Sequence, residues 1–254
     1  MEENRFSDRY AHQQVDWYSL QRYEKNGVEI CTRTLKGRAD EYLNVRFWTG
    51  QLDIPILYIN HGLWMSLSPL EIQSMILPIS RAWGYVGTGG LGMGYFALKC
   101  AEKHDVKEIK VWEINKDVIE FFNTSFSHRK GFEKIKIIEG DVREMRNESF
   151  SYFFMDIYQT QLADDVFDDL NNFWKHQNDA GSYEFWCQEW ALFSYFFDHK
   201  DIFLEADEAI LLSEFITAEL YEDKDEDHTL KQNLFKPLPD IEFRNEIVRD
   251  YLGR

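Results

Sequence analysis

Between Tyr85 and Leu98 the chain carries five glycines in the eight positions from Gly87 to Gly94, with Gly84 just before them. After Gly94 the glycines stop, and Tyr95 to Lys103 reads as a helix. A short strand, a glycine turn and a helix start together make a cradle for a nucleotide. Glycine has no Cβ, so the backbone can turn with φ > 0 and approach a ligand closely. The helix start behind it offers free N–H groups and a partial positive charge. Two glycine frames overlap, Gly87-x-Gly89-x-x-Gly92 and Gly90-x-Gly92-x-Gly94. The first fits a dinucleotide fingerprint. A tight strand-to-helix turn with no ligand is the plain alternative, and the downstream strands have to decide.

Residues 107–114 read as a second strand that ends in an acid, Glu113. In a βαβ unit a carboxylate there can accept hydrogen bonds from ribose hydroxyls. Lys134 to Val142 alternates charged and apolar residues and ends in Gly140-Asp141-Val142. An Asp at that strand end can accept from an adenine amino group while Val142 packs on the ring. A fourth strand, Phe150 to Tyr158, carries Asp156 near its end. Ligands of open α/β sheets bind outside the carboxyl ends of the strands. Four successive strands would thus bring Gly90–Gly94, Glu113, Asp141 and Asp156 to one rim.

With these residues in view, the chain resembles the class I S-adenosylmethionine (SAM) dependent methyltransferase superfamily, and more narrowly its spermidine-synthase-like branch. The resemblance rests on Gly-Leu-Gly-Met-Gly (90–94), Val-Trp-Glu-Ile-Asn (111–115), Glu-Gly-Asp-Val (139–142) and Phe-Met-Asp-Ile-Tyr (154–158), and covers roughly residues 50–190. It implies an α/β, Rossmann-like fold, a mostly parallel sheet flanked by helices, with a small antiparallel β segment in front. It also implies SAM or decarboxylated SAM as cofactor, held by Gly90, Gly92, Gly94, Glu113, Ile114, Asp141, Val142 and Asp156. The organisation expected is an N-terminal arm and small β segment (1–66), a Rossmann-like SAM-binding domain (67–197) and an acidic helical extension packed on it (198–254).

Several function classes are disfavoured. The formal charge of −17 repels nucleic acid backbones, whose binding needs clustered Lys and Arg. Residues 156–159 are Asp-Ile-Tyr-Gln rather than Asp-Pro-Pro-Tyr, and no cysteine follows a proline, so DNA methyltransferase motifs are absent. The seven histidines show no metal-ligand spacing, and the acidic run 222–227 lacks the EF-hand glycine. No apolar run is long enough to span a bilayer, and no secretion signal opens the chain. Three scattered cysteines, Cys31, Cys100 and Cys187, read as free thiols of a reducing compartment. A cytoplasmic protein without metal is the expectation.

Along the chain, Asp16 to Glu24 reads as a short helix. Tyr42 to Trp48 and Ile54 to Asn60 read as two strands with a turn at Thr49-Gly50-Gln51, and Asn60-His61-Gly62 is a second turn. Ser68, Pro69 and Glu71 make a helix start with a capping box. That helix should stop near Leu77 because of Pro78, with a further helical piece from Ile79 to Trp83. The resemblance would instead put Glu71 near the substrate. Asn115 to Ser127 and Leu162 to Lys175 read as amphipathic helices. Ser182 to Gln188 is either a fifth strand or the front of a helix through Phe197. Residues 198–227 hold twelve acids against two lysines. There Ala209 to Leu220 reads as a helix and Glu222–Asp227 as a solvated loop, with Ile241–Tyr251 a closing helix.

Asp156 is the candidate base for an amine or hydroxyl acceptor, with Tyr158 beside it; Asp156 can equally orient the cofactor. Spermidine synthases carry an Asp-Ser-Ser-Asp-Pro-like loop here, and this chain has Asp156-Ile-Tyr-Gln-Thr. The function expected is therefore SAM-dependent group transfer, a methyltransferase first. A non-catalytic protein acting through its acidic surface as inhibitor, adaptor or DNA mimic is the alternative. Aminopropyl transfer and an NAD-binding oxidoreductase complete the set. The partner expected is a small-molecule or protein acceptor, with a homodimer and a basic protein partner left open and neither nucleic acid nor membrane.

Overall fold

The computed structural model describes residues 6–20, 22–41, 44–160 and 165–188. Helix α1 (Phe6–Tyr18) leads into a four-stranded antiparallel sheet of β1 (Tyr23–Lys25), β2 (Val28–Glu41), β3 (Asn44–Ile59) and β4 (Gly62–Ser66). This sheet is larger than the sequence predicts. Thr49-Gly50-Gln51 is no turn: it runs through β3, with Gly50 opposite Gly37 of β2. Pairing along the whole length of the preceding strand overrides the local turn propensity. The expected helix over Asp16–Glu24 ends at Tyr18, because Ser19 turns at φ 48 and Tyr23–Lys25 pairs with Val28–Ile30. Asn60 and His61, at φ 51 and 66, form the two-residue turn to β4, as a tight hairpin requires.

Both faces of this sheet are covered. Leu52, Ile54 and Ile56 pack with Ala11 of α1, whereas Val28, Ile30 and Leu57 join the main core. That explains the continuous apolar run at 54–57.

Two short helices follow, α2 (Pro69–Ser74) and α3 (Ile76–Arg81). The Ser68 hydroxyl accepts from the Glu71 N–H at 3.3 Å and caps α2. The break falls at Met75, not at Pro78. Pro78 lies in the first turn of α3, where a missing N–H leaves no hydrogen bond unmade.

Then come β5 (Gly84–Gly89), α4 (Tyr95–Glu102), β6 (Val106–Glu113), α5 (Lys116–Phe126), β7 (Ile135–Glu139), β8 (Ser149–Phe150), β9 (Tyr152–Met155), α6 (Val166–Lys175), β10 (Asp179–Ala180) and β11 (Tyr183–Phe185). The main sheet has the order β11-β9-β5-β6-β7, all parallel. The fold is α/β and Rossmann-like. Ser182–Gln188 thus contributes a fifth strand, with Tyr183 opposite Phe153. β8 and β10 form a separate parallel pair.

Alternation along β9 shows how the faces divide. Tyr152 and Phe154 join the core under α4 and α5, and Phe153 and Met155 join the core under α6. Order reverses at β5, where the chain crosses from β7 to β9 on the other side, and such a switch point opens a crevice at the strand ends.

The antiparallel sheet is tied to that crevice. The Tyr18 hydroxyl donates to the Met93 carbonyl at 2.6 Å, and Asn26 donates to Asp117 of α5 at 3.1 Å. Cys31, Cys100 and Cys187 are buried, and no disulfide joins them. Among the described residues no helix is long and apolar enough to cross a membrane. The expected helices at 209–220 and 241–251, the acidic run, and the front of the expected helix at 162 lie outside the described residues.

Candidate functional site

The structure separates the two glycine frames. Gly90, Gly92 and Gly94 turn with φ of 87, 50 and 79. Gly87 and Gly89 lie inside β5, where a Cβ would meet Phe153 and Phe150 or Met155 and Val142. These two are glycine for packing, so the turn belongs to the Gly90-x-Gly92-x-Gly94 frame. A Cβ on Gly90 would land on the Asp156 carbonyl oxygen.

Most N–H groups of this turn are taken within the chain. Gly90 donates to the Trp112 carbonyl at 2.8 Å and Leu91 to Glu113 Oε2 at 3.0 Å. Met93 donates to the Met65 sulfur at 3.2 Å and Gly94 to the Leu91 carbonyl at 2.7 Å. Phosphates bind such turns through N–H groups that are free. Here four are committed.

The other strand ends converge on the same place. Glu113 closes β6 and also accepts from the Asn115 N–H at 2.8 Å. Asn115 in turn caps α5 by accepting from Asp117 and Val118. Ile114, between them, is 72% exposed. Asp141 follows β7 and accepts from the Arg143 N–H at 2.9 Å, and Val142 is buried against the Gly89 position. Asp156 follows β9 and donates its N–H to the Gly89 carbonyl at 2.8 Å.

Gly90, Gly92, Glu113, Ile114, Asp141, Val142, Asp156 and Tyr158 all line one cavity of about 340 Å³. Gly94 is not on its wall; it starts α4, and its missing Cβ leaves room for the Phe122 ring. Tyr158 is on the wall, but its hydroxyl donates to Asp169 Oδ2 at 3.2 Å, and burial pushes its pKa up. That hydroxyl is therefore not offered to the cavity.

Glu71 lines the cavity as well. Its carboxylate turns back to the N–H of Ser66, at 3.1 Å, rather than to its own helix cap. Burial pushes Glu71 up to about 8, against the Ser66 N–H, which favours the charged form, and the Asp156 charge adds to the rise. Burial likewise lifts Asp156 to about 7. Removing a carboxylate from water without a cation beside it has this effect. Among the described residues the charged groups of the wall are Glu71, Glu113, Asp141, Asp156 and one cation, Arg143, whose guanidinium is already bound to Asp165 and Asp169.

The sequence pattern does not point to Trp64, Met65, Met75, Trp112 and Trp186, which with Leu57, Ile59, Val118 and Ile157 make much of the apolar wall. Trp186 was within reach, since it follows β11 as Asp156 follows β9. The strand-end rule applies to it once Tyr183–Phe185 is counted as a strand. Trp64 and Met65 carry no such signal, because β4 reaches the site from the other sheet.

No family model matches the chain, and no curated protein matches it. Solved structures do. The YcgJ protein from Bacillus subtilis is 23% identical over 42% of this chain and 47% of that chain, with a TM-score of 0.34. A putative S-adenosyl-L-methionine-dependent methyltransferase from Methanococcus maripaludis is 15% identical over 60% of this chain and 78% of that one, TM-score 0.37. Spermidine synthase from Thermotoga maritima is 13% identical over 63% and 52%, TM-score 0.38. The chain spans about half the length of the first of these, 47%.

Proposed function

We propose that this protein is a SAM-dependent group transferase, and a methyltransferase of a small-molecule or protein acceptor in the first instance. One observation carries the reading. A glycine turn with four of its N–H groups already bonded opens on a cavity walled by Glu71, Glu113, Asp141 and Asp156. Such a wall suits a nucleoside with a cationic body and repels a pyrophosphate. The NAD reading loses its support at that point.

In this reading Glu113 takes the ribose hydroxyls, Asp141 the adenine amino group, and Ile114 and Val142 the faces of the ring. When bound, SAM supplies an electrophilic methyl group on a sulfonium. The chain's own residues orient the acceptor, exclude water through Trp64 and Trp186, and accept a proton at the Asp156 carboxylate. Aminopropyl transfer from decarboxylated SAM is the second reading. It is favoured by Glu71, which adds an acid beyond the strand-end set to the cavity that holds Asp156. An acidic pocket suits a cofactor that has lost its carboxylate.

Parallel calorimetric titrations with SAM, decarboxylated SAM, methylthioadenosine and NAD test this. Tight binding of SAM alone supports methyl transfer, and preference for decarboxylated SAM supports aminopropyl transfer. Binding of none of them leaves the acidic surface, and a non-catalytic role, as the leading explanation. Glu113→Ala is expected to weaken SAM binding by about 1.5–3 kcal/mol, roughly tenfold to a hundredfold. Unchanged affinity in that variant rules out the ribose placement.

A further inference from the structure

We propose that Asp169 is a positioning residue that locks two separate rim loops of the cavity into one body, so that ligand contact with one loop is felt by the other. What those loops bind rests on the reading above; the lock itself does not. The loop after β7 carries Asp141, Val142 and Arg143, and the loop after β9 carries Asp156 and Tyr158. These strands are not neighbours, since β5 and β6 stand between them. Their loops share an apolar cluster that includes Val142, Met145 and Tyr158, and their polar groups meet on one side chain of α6.

Asp169 Oδ1 accepts from Arg143 Nε at 2.5 Å, and Oδ2 accepts from Arg143 Nη2 at 2.9 Å and from the Tyr158 hydroxyl at 3.2 Å. The fork is bidentate, and Asp169 is only 3% exposed, so these bonds are the strong, charge-assisted kind. At its open side Arg143 also reaches Asp165, at 2.6 Å. Arg143 is held in addition through its backbone, its N–H by Asp141 and its carbonyl by the Arg146 guanidinium at 3.0 Å. A shift of the β7 loop therefore pulls on Asp169, and Asp169 pulls on Tyr158, two residues from Asp156. A carboxylate that only capped α6 would have no partner in either loop.

Hydrogen–deuterium exchange of the ligand-free, full-length protein tests the lock without any cofactor. Asp169→Asn should speed exchange about tenfold in both 141–145 and 156–160. Tyr158→Phe keeps the carboxylate and serves if the first variant folds poorly. It should speed exchange about threefold in 141–145, a segment to which the Tyr158 hydroxyl is joined only through Asp169. Acceleration confined to 166–175 in the first variant, or to 156–160 in the second, overturns the proposal. SAM titration adds a thermodynamic arm. Tyr158→Phe should weaken binding about threefold in the parent and not at all once Arg143→Ala has cut the link. Equal effects in both backgrounds overturn the coupling. If the parent protein takes no SAM, the cofactor reading fails, and the exchange result alone decides the lock.

Discussion

Gly90→Ala should cost about 3–5 kcal/mol of stability and weaken SAM binding at least about a hundredfold. Two effects add. Gly90 holds φ at 87, which an L side chain adopts only at a cost. Its Cβ would also overlap the backbone carbonyl of Asp156. Backbone cannot rotate out of the way as a flexible side chain can. Here it is pinned on both sides: Gly90 donates to Trp112 of β6, and Asp156 donates to Gly89 of β5. Relief therefore requires the end of β9 to move, and Asp156 moves with it. Thermal unfolding should fall by roughly 10 °C for a chain of this size. Gly62→Ala is the control, because Gly62 has no positive φ and a Cβ there meets only the Ile59 carbonyl oxygen, at an ordinary contact distance of 3.4 Å. It should change stability by no more than about 0.5 kcal/mol. Equal melting temperatures for parent and Gly90→Ala would mean that the turn is looser than the bonding around it implies.

The ligand-free protein should lose stability as pH rises from about 4.5 to about 8. Glu71 and Asp156 both have folded pKa values above their unfolded ones, about 8 and about 7. In that window the unfolded chain has released protons that the folded chain still holds, so the stability these groups contribute is full below pH 4 and is lost as pH climbs through the folded values. The combined contribution is on the order of several kcal/mol. The net charge of −17 produces a slope of the same sign. Variants therefore carry the test. Glu71→Gln and Asp156→Asn should each flatten the denaturation profile between pH 5 and 8, and the double variant should keep only the general charge slope. Profiles parallel to the parent would show that these carboxyls are not held protonated by burial.

A cationic ligand reverses the electrostatics. Positive charge in the cavity favours the ionised carboxylates, so SAM uptake at pH 6.5 should release roughly one proton. Calorimetry in buffers of different ionisation enthalpy reads that number directly. Asp156→Asn should remove most of the release, whereas a neutral nucleoside such as methylthioadenosine should cause little of it in the parent.

These expectations trace back unequally to the linear chain. The glycine turn, the acids at the ends of β6, β7 and β9, the cap of α2 at Ser68 and the amphipathic face of α5 were all legible, because each is written in neighbouring residues. Glycine needs, cap chemistry and periodicity act over a few positions, and the order of strands and helices follows from them. The sequence by itself thus determined an α/β protein with a glycine turn and three strand-end acids gathered at one rim of the sheet. Tertiary structure alone decided which glycines form the turn, since Gly87 and Gly89 answer to Phe153, Phe150 and Val142 rather than to a ligand. It also decided that β3 runs unbroken past Gly50, that Glu71 enters the cavity, and that the Tyr158 hydroxyl is spent on Asp169. The deciding partners are set by folding and not by the local pattern, some of them as far along the chain as Phe153 is from Gly87, and a side chain's exposure and hydrogen bonds are set by what folding brings against it.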